Sequence, residues 1–273
     1  MLMSTPTHLD QPRAIGEAGI SVRARSGKTV IDTLRQAGAL KVLFPRNRQD
    51  VEAVLVNTAG GVTGGDRFAT AAEAAGGTHL TVTTQAAERA YRAQEGQTGQ
   101  IVNRLEARGN ATLHWLPQET ILFDGAALSR DLQVDLSGDA RFLMVEPLIF
   151  GRQAMGEDVR SLSFTDRVEV RRSGKPLWVD GLRITGDAAA QLDRPAVAGG
   201  ARAMASILWV HPAAEGALDV VRDIAGPTGG ASLLAPDVLI CRILADDGFR
   251  LRQSLVPLLD HLSQDKLPRC WRL

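Results

Sequence analysis

Four glycines and one aspartate stand close together in the stretch VNTAGGVTGGDRF, residues 56–68. They are Gly60, Gly61, Gly64, Gly65 and Asp66. A Walker phosphate loop needs the pattern GxxxxGK[ST], and here Asp66 stands where a cation is required. A dinucleotide-binding turn must lead into a helix, and the following GDRFATAAEAAGG predicts at best an ambiguous one. A nucleotide-binding loop at residues 60–65 is kept as an alternative. The others are a tight turn between strands and a loop that presents Asp66.

A further carboxylate lies in an apolar run. Glu146 occurs in RFLMVEPLIFGR, where an ionised side chain costs free energy unless it is paired or hydrated. Arg152 is its most obvious partner, and we expect Asp66 and Glu157 to reach the same interior. The alternative is a buried Glu146–Arg152 ion pair that serves only to fix the fold.

Signals for covalent catalysis are absent from the sequence. There is no GxSxG motif, Cys241 is predicted to be a buried, protonated thiol in VLICRIL, and Cys270 has no histidine near it. A β-fold hydrolase that uses the carboxylates of Asp66, Glu119 and Glu146 stays open as an alternative. The chain holds one Tyr, four Trp and seven Phe, which are few for a sugar-binding surface.

Composition narrows the function classes. The 31 basic and 31 acidic residues give zero net charge, which argues against a nucleic-acid partner. The two cysteines form no CxxC pair, and the five histidines form no HxH or HxxxH pair, so no tightly bound metal is predicted. No secretory signal and no apolar stretch of roughly 18 residues occurs. We expect a cytoplasmic protein with no membrane partner.

The order of elements predicts a mainly β fold with a large antiparallel or solenoid-like architecture. Alternating or apolar runs at about ten-residue spacing predict strands at residues 51–57, 78–84, 109–116, 132–146 and 166–184. In the last two runs Ser-Gly-Asp and Ser-Gly-Lys predict hairpin turns.

The last third predicts two helices and two strands. Residues 201–211 and 237–244 read as strands, and residues 213–226 as an amphipathic helix. A second helix at 247–264 contains Pro257, which is expected to kink or end it. We predict a single domain over residues 1–273, with residues 1–18 as a loose tail.

Four motifs in a fixed order resemble the urease accessory protein D family, also called the H protein. They are the GGVTGGD loop, TTQAAERAYRA (83–93), LHWLPQETILFDGA (113–126) and LIFGRQAMGE (148–157). The resemblance covers residues 55–185, with a weaker similarity at LPRCWRL (267–273). Thr58-Ala59 replaces the family's usual Pro-Pro before the first glycine pair.

The resemblance implies a non-catalytic scaffold for nickel insertion and metallocentre assembly. Such a chain would work with the F accessory protein and the G GTPase to load apo-urease, and the resemblance allows a dimer within that complex. The family is described as mainly β, with an internal water-filled route for nickel. Asp66, Glu146, Arg152 and Glu157 would then line that route. Transient Ni²⁺ is the expected ligand, because weak oxygen ligands release an ion that imidazole or thiolate sites would trap.

The C-terminal segment LPRCWRL is the predicted partner-binding site. Arg269 and Arg272 flank Trp271, and Trp and Arg are common anchors of interfaces. Deleting residues 267–273 is therefore predicted to weaken binding to the F protein. The alternative is a segment that folds back onto its own domain.

Overall fold

The computed structural model describes residues 12–46 and 50–272. Its strands in chain order are β1 (Ile15–Arg25), β2 (Lys28–Gly38), β3 (Leu40–Leu43), β4 (Val51–Asn57), β5 (Arg67–Ala74), β6 (His79–Thr84), β7 (Glu88–Ala90), β8 (Gly99–Ala107), β9 (Thr112–Leu116), β10 (Thr120–Leu122), β11 (Ala127–Leu136), β12 (Arg141–Phe150), β13 (Leu162–Arg172), β14 (Lys175–Gly186), β15 (Ala203–Val210), β16 (Gly229–Ala235) and β17 (Val238–Ala245). The helices are α1 (Ala188–Leu192), α2 (Ala214–Ala225) and α3 (Gly248–Ser263), with 3-10 turns at Gln153–Met155 and Arg269–Arg272.

Two sheets contain these strands. Sheet A has the order β14-β13-β11-β8-β5-β1-β2, and sheet B has the order β16-β17-β15-β12-β9-β6-β4-β3, with β10 placed beside β12 and β7. From β4 to β13 the chain alternates between the sheets, apart from the short strands β7 and β10. The neighbouring strands that result are parallel. Each coil therefore adds one strand to each sheet, which confirms the solenoid-like form of the predicted fold.

The alternation of side chains along each strand decides which face lies between the sheets. In β5, Phe68, Ala72 and Ala74 are buried, whereas Arg67 and Glu73 point outward. The inward-facing residues of both sheets pack into one apolar cluster. Burial of this cluster is the main force that holds the coils together.

Glycines let the corners of successive coils stack. Gly109 and Gly138 both have positive φ, at 61° and 62°. A Cβ on Gly138 would lie only 3.1 Å from the Cα of Gly109. Side chains at these corners would therefore push neighbouring coils apart.

One predicted hairpin is confirmed and the other is wrong. β13 and β14 pair antiparallel through Ser173 and Gly174, which have φ of 50° and 76°. The Ser-Gly-Asp turn instead joins β11 of sheet A to β12 of sheet B, and these two strands do not pair. A glycine turn reverses the chain in both cases, but the partner strand is set by the packing of distant coils.

The outer face of sheet B is covered by helices, which explains its continuous apolar runs. α3 contacts β12, β15 and β17, and its buried leucines join a second apolar cluster. The predicted strands and helices of the last third are confirmed. Pro257 lies inside α3, which continues to Ser263, so of the two predicted outcomes, a kink or an end, the end at Pro257 is wrong. The leucine packing on both sides of Pro257 holds the helix together.

The predicted N-terminal tail is too long. β1 begins at Ile15 and pairs with β2 and β5, so residues 15–18 are part of sheet A. Residues 1–11 lie outside the described residues. The prediction of one domain over 1–273 stays a prediction. Within residues 12–46 and 50–272, no helix is long and apolar enough to cross a lipid bilayer.

Two histidines from adjacent strands should make the fold sensitive to acid. His79 of β6 and His114 of β9 meet edge to face, with ring centroids 4.6 Å apart. Burial, aided by Lys266, lowers the pKa of His79 from 6.5 to about 4, although Asp50 opposes this shift. Burial also holds the pKa of His114 well below its usual range.

The sign of the pH effect follows from proton uptake. Between pH 6.5 and 4 the unfolded chain binds a proton at His79 that the folded chain does not, so stability falls as the pH falls. We expect His79 to contribute a loss of roughly 2–3 kcal/mol between pH 7 and 4. Urea unfolding of the wild type and His79→Gln across this range isolates the contribution of His79 to the loss of stability. The variant should lose less stability than the wild type, and equal losses would contradict the assignment.

Candidate functional site

The glycine loop arranges its backbone around Asp66. Asp66 is 5% exposed, and its two carboxylate oxygens accept hydrogen bonds from the backbone N–H groups of Thr63 and Ala14, each at 2.8 Å. The loop is followed by strand β5, so no helix N-terminus faces it. The geometry therefore offers no support for the nucleotide-binding alternative.

The glycines allow a neighbouring segment to pack closely against the loop. A Cβ on Gly61 would lie 2.3 Å from Cε2 of Tyr91 and 2.6 Å from the backbone oxygen of Arg89. A Cβ on Gly64 would lie 2.8 Å from the Cβ of Ala93. Gly65 packs beside the Arg13 side chain and has a φ of 87°, which favours glycine.

The four sequence motifs come together at one end of the sheets. Val62 exchanges backbone hydrogen bonds with Arg89 and Tyr91, at 2.7 and 2.8 Å. Arg92 pairs with Asp124 at 2.6 Å. We call the surface formed by residues 57–66, 85–97, 117–126 and 151–161 the motif face.

Arg152 and Glu157 belong to the motif face and not to the interior. Their side chains pair at 3.0 Å, and the hydrogen bond from Arg152 lowers the pKa of Glu157. The Arg152 guanidinium also lies 4.4 Å from the centre of the Phe123 ring. The predicted Glu146–Arg152 pair is wrong, because Arg152 lies beyond the end of β12 in an exposed turn.

Glu146 is held by a different arginine, from the opposite sheet. Arg130 of β11 contacts Glu146 Oε2 through Nη1 at 3.0 Å and also pairs with Asp166 of β13 through Nε at 3.2 Å and through Nη2. Trp115 Nε1 donates to Glu146 Oε1 at 2.7 Å, and Arg130 Nη1 donates to Thr120 Oγ1 at 2.9 Å. We call Arg130, Glu146 and Asp166 the buried triad.

The buried triad has one positive and two negative groups. Burial raises the pKa of Glu146, Arg130 lowers it, and the Asp166 carboxylate raises it again, with a net shift upward. Burial alone would lower the pKa of Arg130, but Asp166 and Glu146 outweigh it and raise that pKa. The guanidinium therefore stays charged. It occupies the carboxylate oxygens of Glu146 and Asp166, which would otherwise be free to bind another cation.

A cavity of about 210 Å³ separates the two sheets on one side of the triad. It has room for several water molecules. The polar residues that line it are Asn57, Thr70, Thr84, Gln85, Glu88, Arg89, Asn103, Gln118, Thr120, Arg130, Asp131, Glu146 and Asp166. Because Gly60, Gln85 and Arg89 are exposed lining residues, the cavity opens at the motif face.

Glu88 supplies an acid near that opening. Its carboxylate accepts hydrogen bonds from Asn57 Nδ2 at 3.1 and 3.2 Å. Burial raises the pKa of Glu88, and the Asn57 hydrogen bond reduces this effect.

A second, smaller cavity of about 40 Å³ lies on the other side of the triad. Glu146 and Asp166 line both cavities. The smaller cavity also contacts Asp180, Ser206 and Arg242, and an Arg242–Asp180 ion pair stands at its half-exposed outer end. The two cavities and the triad together form a polar line between the sheets, which we call the candidate passage.

Strand register builds this line. Arg130 is directly opposite Asp166 in sheet A. In sheet B, Glu146, Ser206 and Arg242 occupy one row across β12, β15 and β17. The passage therefore runs across the strands, along the stacking direction of the coils.

The structure places the predicted site residues in three separate environments. Of the three predicted acids, only Glu146 lines the two cavities. Asp66 instead holds the glycine loop, and Glu157 holds an exposed turn. The predicted convergence of these three acids is wrong. Glu119 is also separate, because it pairs with Arg252 of α3 at 2.6 Å. Asp66, Glu119 and Glu146 therefore do not form the paired carboxylates of a hydrolase.

The C-terminal segment folds back onto its own chain, as the alternative interpretation has it. Trp271 is 1% exposed, and its Nε1 donates to the backbone oxygen of Leu116 at 3.0 Å. Arg272 pairs with Asp260 of α3 at 2.5 Å, and Arg269 is exposed. The predicted partner anchor Trp271 is thus an internal anchor.

Two observations on the described residues concern nucleophiles and metal ligands. Burial raises the pKa of the Cys241 thiol to about 11, so this thiol stays protonated. Within the described part of the chain, no three His, Cys, Asp or Glu side chains are grouped closely enough to hold a metal ion. The passage therefore offers acidic oxygens in pairs, without a complete ligand set.

Comparison with known proteins decides the family. The model of the family described as UreD urease accessory protein matches residues 14–272. The chain belongs to the UreD family. It is 58% identical over 273 residues to the urease accessory protein UreD of Roseobacter denitrificans, with both chains fully covered.

Other UreD relatives are similar along nearly their whole length. The UreD protein of Ruegeria sp. is 54% identical, with 96% of this chain and 91% of the relative covered. The UreD protein of Rhizobium leguminosarum bv. viciae is 43% identical, with 96% of both chains covered. A role for this chain in urease maturation follows from its family.

Proposed function

We propose that this chain is a nickel-insertion scaffold that joins apo-urease to the F accessory protein and the G GTPase. It acts without a reactive group of its own and lets nickel pass along the interior between its two sheets. The observation that carries this proposal is the candidate passage, in which two cavities meet at Glu146 and Asp166. Nickel is the cargo of this passage and not a resident cofactor.

The chemistry of the lining suits transfer of an ion. Carboxylate, amide and hydroxyl oxygens bind a divalent first-row ion less tightly than imidazole or thiolate does, so the ion can leave. Glu88 near the opening and Glu146 and Asp166 at the centre supply successive acidic oxygens. Residual negative charge of the triad favours entry of a cation.

A scaffold also needs surfaces for its partners at the openings of the passage. The motif face surrounds the wider opening and presents exposed apolar groups, with Met155 75% and Tyr91 38% exposed. Apolar and aromatic side chains of this kind contribute strongly to protein interfaces. We propose that an accessory partner binds at this face, and that a dimer within the complex forms through partner contacts.

Substitution of the central acids tests the proposal. In cells that lack the native chain, Glu146→Gln and Asp166→Asn should lower the nickel content of urease at least about tenfold, a cost of roughly 1.4 kcal/mol. Glu17→Gln is the matched control, because Glu17 is a half-exposed carboxylate of β1 that lies outside both cavities and outside the motif face. Nickel per urease is measured by mass spectrometry, and complex assembly by co-purification.

The two measurements separate passage from folding. We expect both central variants to assemble normally and to deliver little nickel. Normal nickel content in Glu146→Gln and Asp166→Asn, or a loss that only follows a failure of assembly, would contradict the passage.

A further inference from the structure

Arg130 stands where the two cavities meet. Its side chain is 8% exposed and lines the wide cavity, and the guanidinium contacts both Glu146 and Asp166, which line both cavities. It binds Glu146 across the space between the sheets and Asp166 along sheet A. In this arrangement the side chain fills the junction of the candidate passage.

The same carboxylate oxygens cannot hold the guanidinium and a metal ion together. Arg130 uses Glu146 Oε2 and both Asp166 oxygens, while Trp115 uses Glu146 Oε1. An arginine does not lose its proton in a protein, so it can release these oxygens only by moving. Two carboxylates with one guanidinium carry a net charge of −1, whereas the same carboxylates with a divalent cation are neutral.

Space for that movement exists on one side only. The wide cavity of about 210 Å³ borders Arg130 and offers Thr70 and Asn103 as polar neighbours. The smaller cavity holds only about 40 Å³ and is bordered by the guanidinium of Arg242. A cation that displaces Arg130 would therefore send its side chain toward the motif face.

We propose that Arg130 is the gate of the passage. Its guanidinium occupies the oxygens of Glu146 and Asp166 when no metal is present, and it moves into the wide cavity when a divalent cation binds those oxygens. The gate rests on the proposed function for its biological meaning. The gate prevents the passage from acting as an open channel for protons and monovalent ions. A singly charged ion that replaces the Arg130 guanidinium leaves the net charge of the two carboxylates at −1, so the replacement brings no electrostatic gain.

The test is nickel binding by the purified full-length chain, which does not depend on urease activity. Arg130→Met keeps the length of the side chain and frees both carboxylates. In equilibrium dialysis against NiCl₂, this variant should bind Ni²⁺ at least tenfold more tightly than the wild type. The tighter binding should be lost again in Arg130→Met/Glu146→Gln.

Two further variants keep the gate falsifiable. Arg242→Met is the control, because Arg242 pairs with only one carboxylate, that of Asp180, at the outer end of the same passage. This variant should bind no more nickel than the wild type. Arg130→Lys keeps the positive charge if Arg130→Met does not fold, and it should bind Ni²⁺ several-fold more tightly than the wild type because lysine lacks the bidentate contact.

Folded Arg130→Met or Arg130→Lys that holds no more nickel than the wild type would overturn the gate. Tighter binding that survives Glu146→Gln would do the same. Neither result bears on the proposed function, which fails only if Glu146→Gln and Asp166→Asn still load urease normally or lose loading only because the complex does not assemble.

Discussion

Replacing Trp271 with Ala should lower the free energy of unfolding by about 3–5 kcal/mol. The indole is 1% exposed in the apolar cluster beneath the helices, so its removal leaves a large cavity. It also leaves the backbone oxygen of Leu116 without its N–H donor and removes the ring 5.2 Å from the Arg252 guanidinium. The C-terminal segment is thus part of the core.

Urea unfolding followed by circular dichroism measures this effect. Arg269→Ala is the matched control, because Arg269 lies two residues away and is exposed. We expect its stability to differ from that of the wild type by less than about 0.5 kcal/mol. A Trp271→Ala chain as stable as this control would contradict the role of the segment in the core.

This prediction changes how a C-terminal deletion must be interpreted. Weaker binding of the F protein after removal of residues 267–273 stays a prediction. The deletion also removes Trp271 from the core, so loss of binding alone does not locate an interface there. Arg269→Ala tests a surface role without that loss of packing.

Strands and helices could be predicted from local patterns, but strand partners could not. Residues 51–57 are a strand with the predicted bounds, because an apolar run covered on both faces is a local signal. Ser-Gly-Asp and Ser-Gly-Lys both turn the chain, yet only the second closes a hairpin. Pairing depends on which distant coil packs alongside, and turn chemistry does not contain that information.

Strand β5 shows how composition hides a strand. Its sequence RFATAAEA is rich in alanine, a good helix former, and a helix there was the ambiguous expectation. Its alternate residues face the space between the sheets, and it lies between β1 and β8. Tertiary packing overrides the local propensity.

Glu146 was predictable because it interrupts an apolar run, but its partner was not. Arg152 is close in the sequence and lies outside the interior, whereas Arg130 reaches Glu146 from the opposite sheet. The sequence does carry a signal for the triad. Arg130 occupies one of the inward-facing positions of β11, between the buried Leu128 and Leu132. Asp166 occupies an inward-facing position of β13 in the same way.

Charged residues at inward-facing positions of two strands predict an ion pair only if the pairing and the register of those strands are known. Arg130 and Asp166 are 36 residues apart, and the register of β11 with β13 brings them together. The role in urease maturation was predicted from the four ordered motifs, since no local physical feature of a carboxylate identifies its cargo.

A bulky ring in the wide cavity should stop nickel transfer while leaving every charge of the passage in place. Asn103 lies on β8, lines the wide cavity and carries no charge. Asn103→Trp should occupy much of the space of about 210 Å³ that lies between the motif face and the buried triad. Because the cavity already exists, the ring enters with less overpacking than in a filled core.

Gln100→Trp is the matched control for this block. Gln100 is on the same strand but is exposed on the opposite face, so the same ring lies outside the passage. Both variants should assemble with their partners as the wild type does, and both should retain the wild-type midpoint of urea unfolding to within about 1 M.

The decisive measurement is the nickel content of urease purified from cells that express each variant in place of the native chain. The interior passage predicts urease with nickel at the level of cells that lack the chain for Asn103→Trp, and at the wild-type level for Gln100→Trp. Urease fully loaded with nickel by a folded, assembled Asn103→Trp chain would show that nickel does not travel between the two sheets.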